Sequence, residues 1–86
     1  MTATRVAVIG IIVENPEVTD QLNAILHRYA GYILGRMGIP YRERNISIIS
    51  VAIDAPQDVT NALSGELGAL PGVNVKTAYS NVITKS

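Results

Sequence analysis

An α+β sandwich, with four antiparallel strands and two helices on one face of the sheet, is the fold predicted by this chain of 86 residues. Three observations predict it. β-branched runs and helical periodicities follow one another in the order strand, helix, strand, strand, helix, strand. The second half repeats the plan of the first, Val13-Glu14-Asn15-Pro16 being echoed by Ile53-Asp54-Ala55-Pro56. The joint between the halves, Pro40 to Asn45, suits an antiparallel hairpin and is too short for the crossover of a parallel pair. Two βαβ units joined this way make a split βαβ, ferredoxin-like βαββαβ sandwich, and the length fits a single domain spanning 1–86.

The first strand is Val6 to Val13, rich in β-branched residues and ending at Glu14-Asn15-Pro16. Asn15 is suited to cap the helix that follows and Pro16 to its first turn, while Val18, Leu22, Ile25, Leu26 and Tyr29 share one helical face. Gly31 is the expected stop. Tyr32 to Ile39 reads as a second, glycine-interrupted strand on the sheet edge, followed by the polar turn Pro40 to Asn45. Ile46 to Ile53 is the third strand. Asp54-Ala55-Pro56 opens a helix carrying Val59, Leu63 and Leu67, and Pro71-Gly72 leads into the last strand, Val73 to Tyr79.

Helices on one side leave a sheet face that a monomer should keep polar. Here Val6, Val8 and Ile12 alternate with Ala7, Ile9, Ile11 and Val13, and Ile46 and Ile48 with Ile49, Val51 and Ile53. Both faces are apolar, so the one that escapes the helices, interrupted by Gly10 and Ser50, is expected to meet another copy or a partner. A homo-oligomer, dimer or tetramer, built through sheet faces follows as the expectation.

Composition removes several classes of function. Seven basic residues balance seven acidic ones, so no net field draws the chain onto nucleic acid or an anionic membrane. With no cysteine and His27 as the one histidine, thiolate zinc, iron–sulfur clusters, disulfides and thiol nucleophiles are excluded within a chain, and no metal or cofactor is expected. His27 lies off the apolar stripe of its helix, where exposure is expected. The apolar run Val6 to Val13 is too short to span a bilayer and no signal-like stretch is present, so a cytoplasmic location is expected.

The segment Gly35-Arg36-Met37-Gly38-Ile39-Pro40-Tyr41-Arg42-Glu43 carries the chemistry. Glycine lets a ligand or backbone approach closely, and arginine offers a forked cation to a carboxylate or phosphate. Asn15, at the strand-to-helix junction, stands where backbone amides and the helix dipole favour an anion. The candidate ligand-binding set is therefore Asn15, Arg36, Gly38, Tyr41 and Arg42, for a small anionic ligand such as an amino acid. A solvated hairpin with Glu43 paired to an arginine, and an Asn15 that only caps, account for the same residues without a ligand. Gly31, Gly35 and Gly38 do not form a phosphate loop, because they lie on a helix end and a strand.

With this segment, Leu22-Asn23-Ala24-Ile25-Leu26-His27, Ile46-Ser47-Ile48-Ile49-Ser50, Ala62-Leu63-Ser64-Gly65 and Leu70-Pro71-Gly72-Val73, nearly the whole chain resembles the small regulators of the iron-only hydrogenase system. That family looks like ACT-type domains and the effector-binding half of nickel-responsive repressors, which implies a βαββαβ fold, oligomers built through sheets and small-ligand sensing. ACT-type domains bind amino acids near the first strand-to-helix junction, which here is Asn15. Nickel-responsive repressors hold metal through several histidines and a cysteine, so the resemblance does not extend to nickel sensing or direct operator binding. Acylphosphatases share the sandwich plan but place a glycine-rich, arginine-bearing loop where this chain has Glu14-Asn15-Pro16, and no paired carboxylates stand at a recognisable spacing. No catalytic residue and no enzyme are expected; a regulatory ligand-binding module is, with a structural protein–protein interaction module lacking any metabolite as the alternative.

Overall fold

The computed structural model describes residues 3–85. β1 (Ala3–Val13) passes through a 3-10 turn at Pro16–Val18 into α1 (Thr19–Arg28), and a second such turn at Ala30–Tyr32 leads to β2 (Ile33–Tyr41). A third 3-10 turn, Arg42–Arg44, joins β3 (Ile46–Ala55), followed by α2 (Gln57–Gly68) and β4 (Val73–Lys85). The strands pair antiparallel in the order β2-β3-β1-β4, which is the predicted ferredoxin-like arrangement with β2 on an edge.

The odd-numbered residues of β1 and β3 face the helices. Ala7, Ile9, Ile11, Val13, Ile49, Val51, Ile53 and Ala55 are buried with Leu22 and Leu26 of α1 and Leu63 and Leu67 of α2. Each large side chain so placed contributes about 1.5 to 3 kcal/mol. The even-numbered set faces away: Val6, Val8, Ile12 and Ile48 are 37%, 45%, 43% and 42% exposed. Opposite partners share a face, so Met37 and Ile39, paired with Ser50 and Ile48, extend the same bare surface across β2.

Several boundaries differ from the sequence reading. β2 continues through Pro40 to Tyr41, because an edge strand tolerates a proline that an inner strand would not. The turn is left to Arg42–Arg44, closed by Asn45 at φ 55°, a conformation that asparagine tolerates. β4 runs past Tyr79 to Lys85, since its register with β1 steps from Ala7↔Tyr79 to Arg5↔Ile83 and pairing resumes beyond the irregularity. α1 stops at Arg28 and not at Gly31, where the Tyr29 N–H folds back to the Leu26 carbonyl at 3.1 Å. The two prolines also differ: Pro16 starts a 3-10 turn, whereas Pro56 precedes α2 as its N-cap.

Two contacts tie neighbouring elements together. Gly72, at φ +74°, accepts the Glu14 N–H at 2.7 Å and brings the α2–β4 turn against the β1–α1 junction. Glu66 of α2 accepts from both the Tyr29 hydroxyl and Arg28, tying the end of α1 to α2. The Tyr29 bond, then the Arg28 bond, hold the Glu66 carboxyl below the usual range, and the same bond to Glu66 raises the Tyr29 hydroxyl above its own. A lowered acid stabilises the fold above its ordinary value of about 4.3 and loses that contribution as pH falls through the lowered value; a raised tyrosine stabilises below about 10 and loses it as pH rises. The melting temperature of the wild type should therefore exceed that of Glu66→Gln most between about pH 5 and 9, with the gap closing towards both extremes. Equal melting temperatures at pH 7 would show that the cluster contributes nothing.

Candidate functional site

β2 carries one extra residue relative to β3. The register passes from Ile33↔Ile53 to Gly35↔Ala52, leaving Leu34 bulged and 65% exposed. A bulge resets the alternation of faces. Without it Arg36 would stand opposite Ser50 on the bare apolar face; with it Arg36 pairs with Val51 and lies on the helix side, as Ile33 does.

There Arg36 meets α1. Its guanidinium donates to the Asn23 amide oxygen at 3.2 Å. Asn23 and His27 are one helical turn apart and so project from the same side of α1. Asn23, His27 and Arg36 border a cleft of about 250 Å³, with Leu26, Ala30 and Ile33 as its apolar lining. His27 is exposed, as expected. Among the described residues the ion pair is Arg28–Glu66, so the Arg36 charge stands without a carboxylate partner.

The other predicted residues lie elsewhere. Tyr41 and Arg42 line a second recess with Val13, Pro16, Pro40 and Ser47, of about 80 Å³, so the hairpin does reach the β1–α1 junction. Asn15 is committed locally, its side-chain oxygen accepting the Glu17 N–H at 3.1 Å while its Cβ stands beside Gly72. Gly38 sits opposite Ile49 and borders neither hollow. Asn15 and Arg36 are thus not brought into one cleft, because the bulge aims Arg36 at the middle of α1. Within one chain Arg36 meets the middle of α1 and not the β1–α1 junction where Asn15 stands, and the four-residue spacing of Asn23 and His27 is the sequence signal that places both on the side of α1 it meets.

A third hollow, about 300 Å³, lies on the bare face over Gly10, Ile12, Ile48, Ser50, Asn74 and Lys76. A Cβ at Gly10 would meet the Lys76 carbonyl at an ordinary 3.7 Å, so packing within one chain does not require glycine there. Among the described residues no group of three or more histidine, cysteine or acidic side chains could hold a metal ion, and no helix is long and apolar enough to cross a membrane.

The TM1266-like family, described as "Iron-only hydrogenase system regulator, putative", matches residues 5–77. Among solved structures the chain is similar to the uncharacterized protein TM1266 from Thermotoga maritima, at 38% identity and a TM-score of 0.85 over 88% of this chain and 96% of that one. No curated protein matches significantly.

Proposed function

Since this chain belongs to the TM1266-like family, we propose that it is a non-catalytic regulatory module that assembles as a homo-oligomer and senses a small anionic ligand. The observation that carries this reading is the bare sheet face. Val6, Val8, Ile12, Met37, Ile39 and Ile48 are each between 37% and 64% exposed on one surface, a patch of the kind that marks interaction sites. The molecule measures 44 by 19 by 17 Å, so its broad face is on the order of the ~800 Å² per partner that a standard specific interface buries. Gly10 and Ser50 lie at the middle of that face, where two sheets brought together could approach most closely.

Regulation then works through linkage: a ligand that binds the assembled form better than the free protomer shifts the balance between them by its difference in affinity. Light scattering on the purified protein at micromolar concentration tests the assembly directly. A dimer or larger closed oligomer is the expected result, and a stable soluble monomer of 9.2 kDa would overturn the reading. Ligand sensing is tested by a thermal-shift screen of carboxylates and phosphates, in which a binder must raise the melting temperature progressively as its concentration rises above its dissociation constant. Co-purification with another protein and no response to any metabolite would favour a scaffolding role on the same face.

A further inference from the structure

We infer that the cleft between α1 and β2 binds a small carboxylate bearing a short apolar tail, with the Arg36 fork as the charge-reading group and Asn23 and His27 as its polar companions. This rests on the reading that the module senses a small anion, and it gives that anion a place away from the β1–α1 junction. Three features meet at the cleft. Its border carries three polar side chains and no acidic one, over a lining of Leu26, Ala30 and Ile33, which is the pattern of few oriented polar groups on an apolar wall that small-molecule sites share. Its volume, about 250 Å³, suits a ligand the size of a branched-chain acid and is larger than the 80 Å³ of the recess beside Arg42. And the β2 bulge at Leu34 swings Arg36 off the bare face and onto this side, a re-aiming for which bulges are often used near functional positions.

Chemistry then orders the groups. Arg36 gives one N–H to Asn23 at 3.2 Å, and that bond steadies the guanidinium while leaving further donors on its plane free. A carboxylate can take two parallel N–H bonds from such a fork, which a lysine ammonium cannot reproduce. The amide nitrogen of Asn23 and the His27 ring, one turn apart on α1, stand beside the bound group as further hydrogen-bond donors. The C-terminal carbonyls of α1 would oppose an anion, but the Leu26 carbonyl is already engaged by the Tyr29 N–H. The cleft lies on the helix side of the sheet, so a face-to-face oligomer leaves it open.

Isovalerate and inorganic phosphate are the probes, followed by amide and side-chain NMR shifts of the 15N-labelled protein, with light scattering on the same samples. Isovalerate is expected to give saturable shifts centred on Asn23, His27 and Arg36. Arg36→Gln should weaken that binding about tenfold or more, as loss of a hydrogen bond to a charged group does, with Arg36→Lys recovering little of it. Arg42→Gln should leave it unchanged. Phosphate binding at the cleft without isovalerate binding would overturn the ligand class, and isovalerate shifts centred on Tyr41 and Arg42 would overturn the location while the sensing role stands. If neither probe shifts either region, the cleft assignment falls; an oligomer that persists in those samples shows that the assembly reading has survived it.

Discussion

Ile9→Lys should abolish the folded state, whereas Val8→Lys should leave a folded protein that has lost its partner. The two residues are adjacent on β1 and differ in the face they occupy: Ile9 is 0% exposed among the helices and Val8 is 45% exposed on the bare side. Removing a buried isoleucine costs about 2 to 5 kcal/mol before any charge is considered, and an unpaired ammonium in the same place adds several more. Against a total stability of about 5 to 15 kcal/mol, that is sufficient to unfold a domain of this size. Lysine at position 8 costs the monomer little, because its stem can lie along the sheet with the charge in water, but in a face-to-face oligomer the charge would be buried. Far-ultraviolet circular dichroism separates the first outcome from the second, and light scattering reads the second. A folded Val8→Lys protein with the mass of the wild-type oligomer would remove this face as the interface.

Gly72→Ala should be the most damaging glycine-to-alanine change in the chain. The left-handed backbone at φ +74° alone costs a non-glycine residue about 1 to 2 kcal/mol. The new Cβ would also fall 2.7 Å from the Cβ of Asn15 and 3.2 Å from its backbone nitrogen, so the β1–α1 junction has to move and the 2.7 Å bond from the Glu14 N–H is strained with it. Urea denaturation should show a loss beyond the conformational term. The double variant Gly72→Ala with Asn15→Gly removes the Cβ that is struck, so once the effect of Asn15→Gly alone, which loses the bond from the Glu17 N–H, is subtracted, it should recover part of the excess. If the two changes are simply additive, the contact with Asn15 is not the cause.

What the sequence made legible is whatever alternates or repeats. The β-branched runs of β1 and β3 and the Leu22–Leu26 and Leu63–Leu67 stripes specify strands and helices by period, and the short turn specifies antiparallel pairing. Which face would turn inward was not decided by hydrophobicity, since both are apolar; the run broken by Gly10 and Ser50 is the one left outside. The bulge at Leu34 was invisible because one extra residue has no periodic signature, and a shift of one residue exchanges every side chain's face. That single step explains why Asn15 and Arg36, plausible neighbours on paper, stand in different parts of the molecule, with Asn23 and His27 beside Arg36 instead. The length of β4 was hidden for the same reason, pairing with β1 being resumed beyond an irregularity after Tyr79.

Pro40 and the Leu34 bulge have one more consequence, for how many copies can gather. A sheet with a free edge can grow sideways without limit, each new chain adding its strand to the last. On β2 the proline lacks a donor, and on an edge strand that gap falls in the outer row, while the bulge at Leu34 breaks the straightness of the same edge nearer its start. Sideways growth is thereby discouraged at the edge that carries Arg36, so a repeated addition of β2 to the β4 edge of the next chain is disfavoured and stacking perpendicular to the sheet is favoured. Stacking two faces uses up both surfaces at once, so copies of this chain should gather into a small finite number and not into filaments.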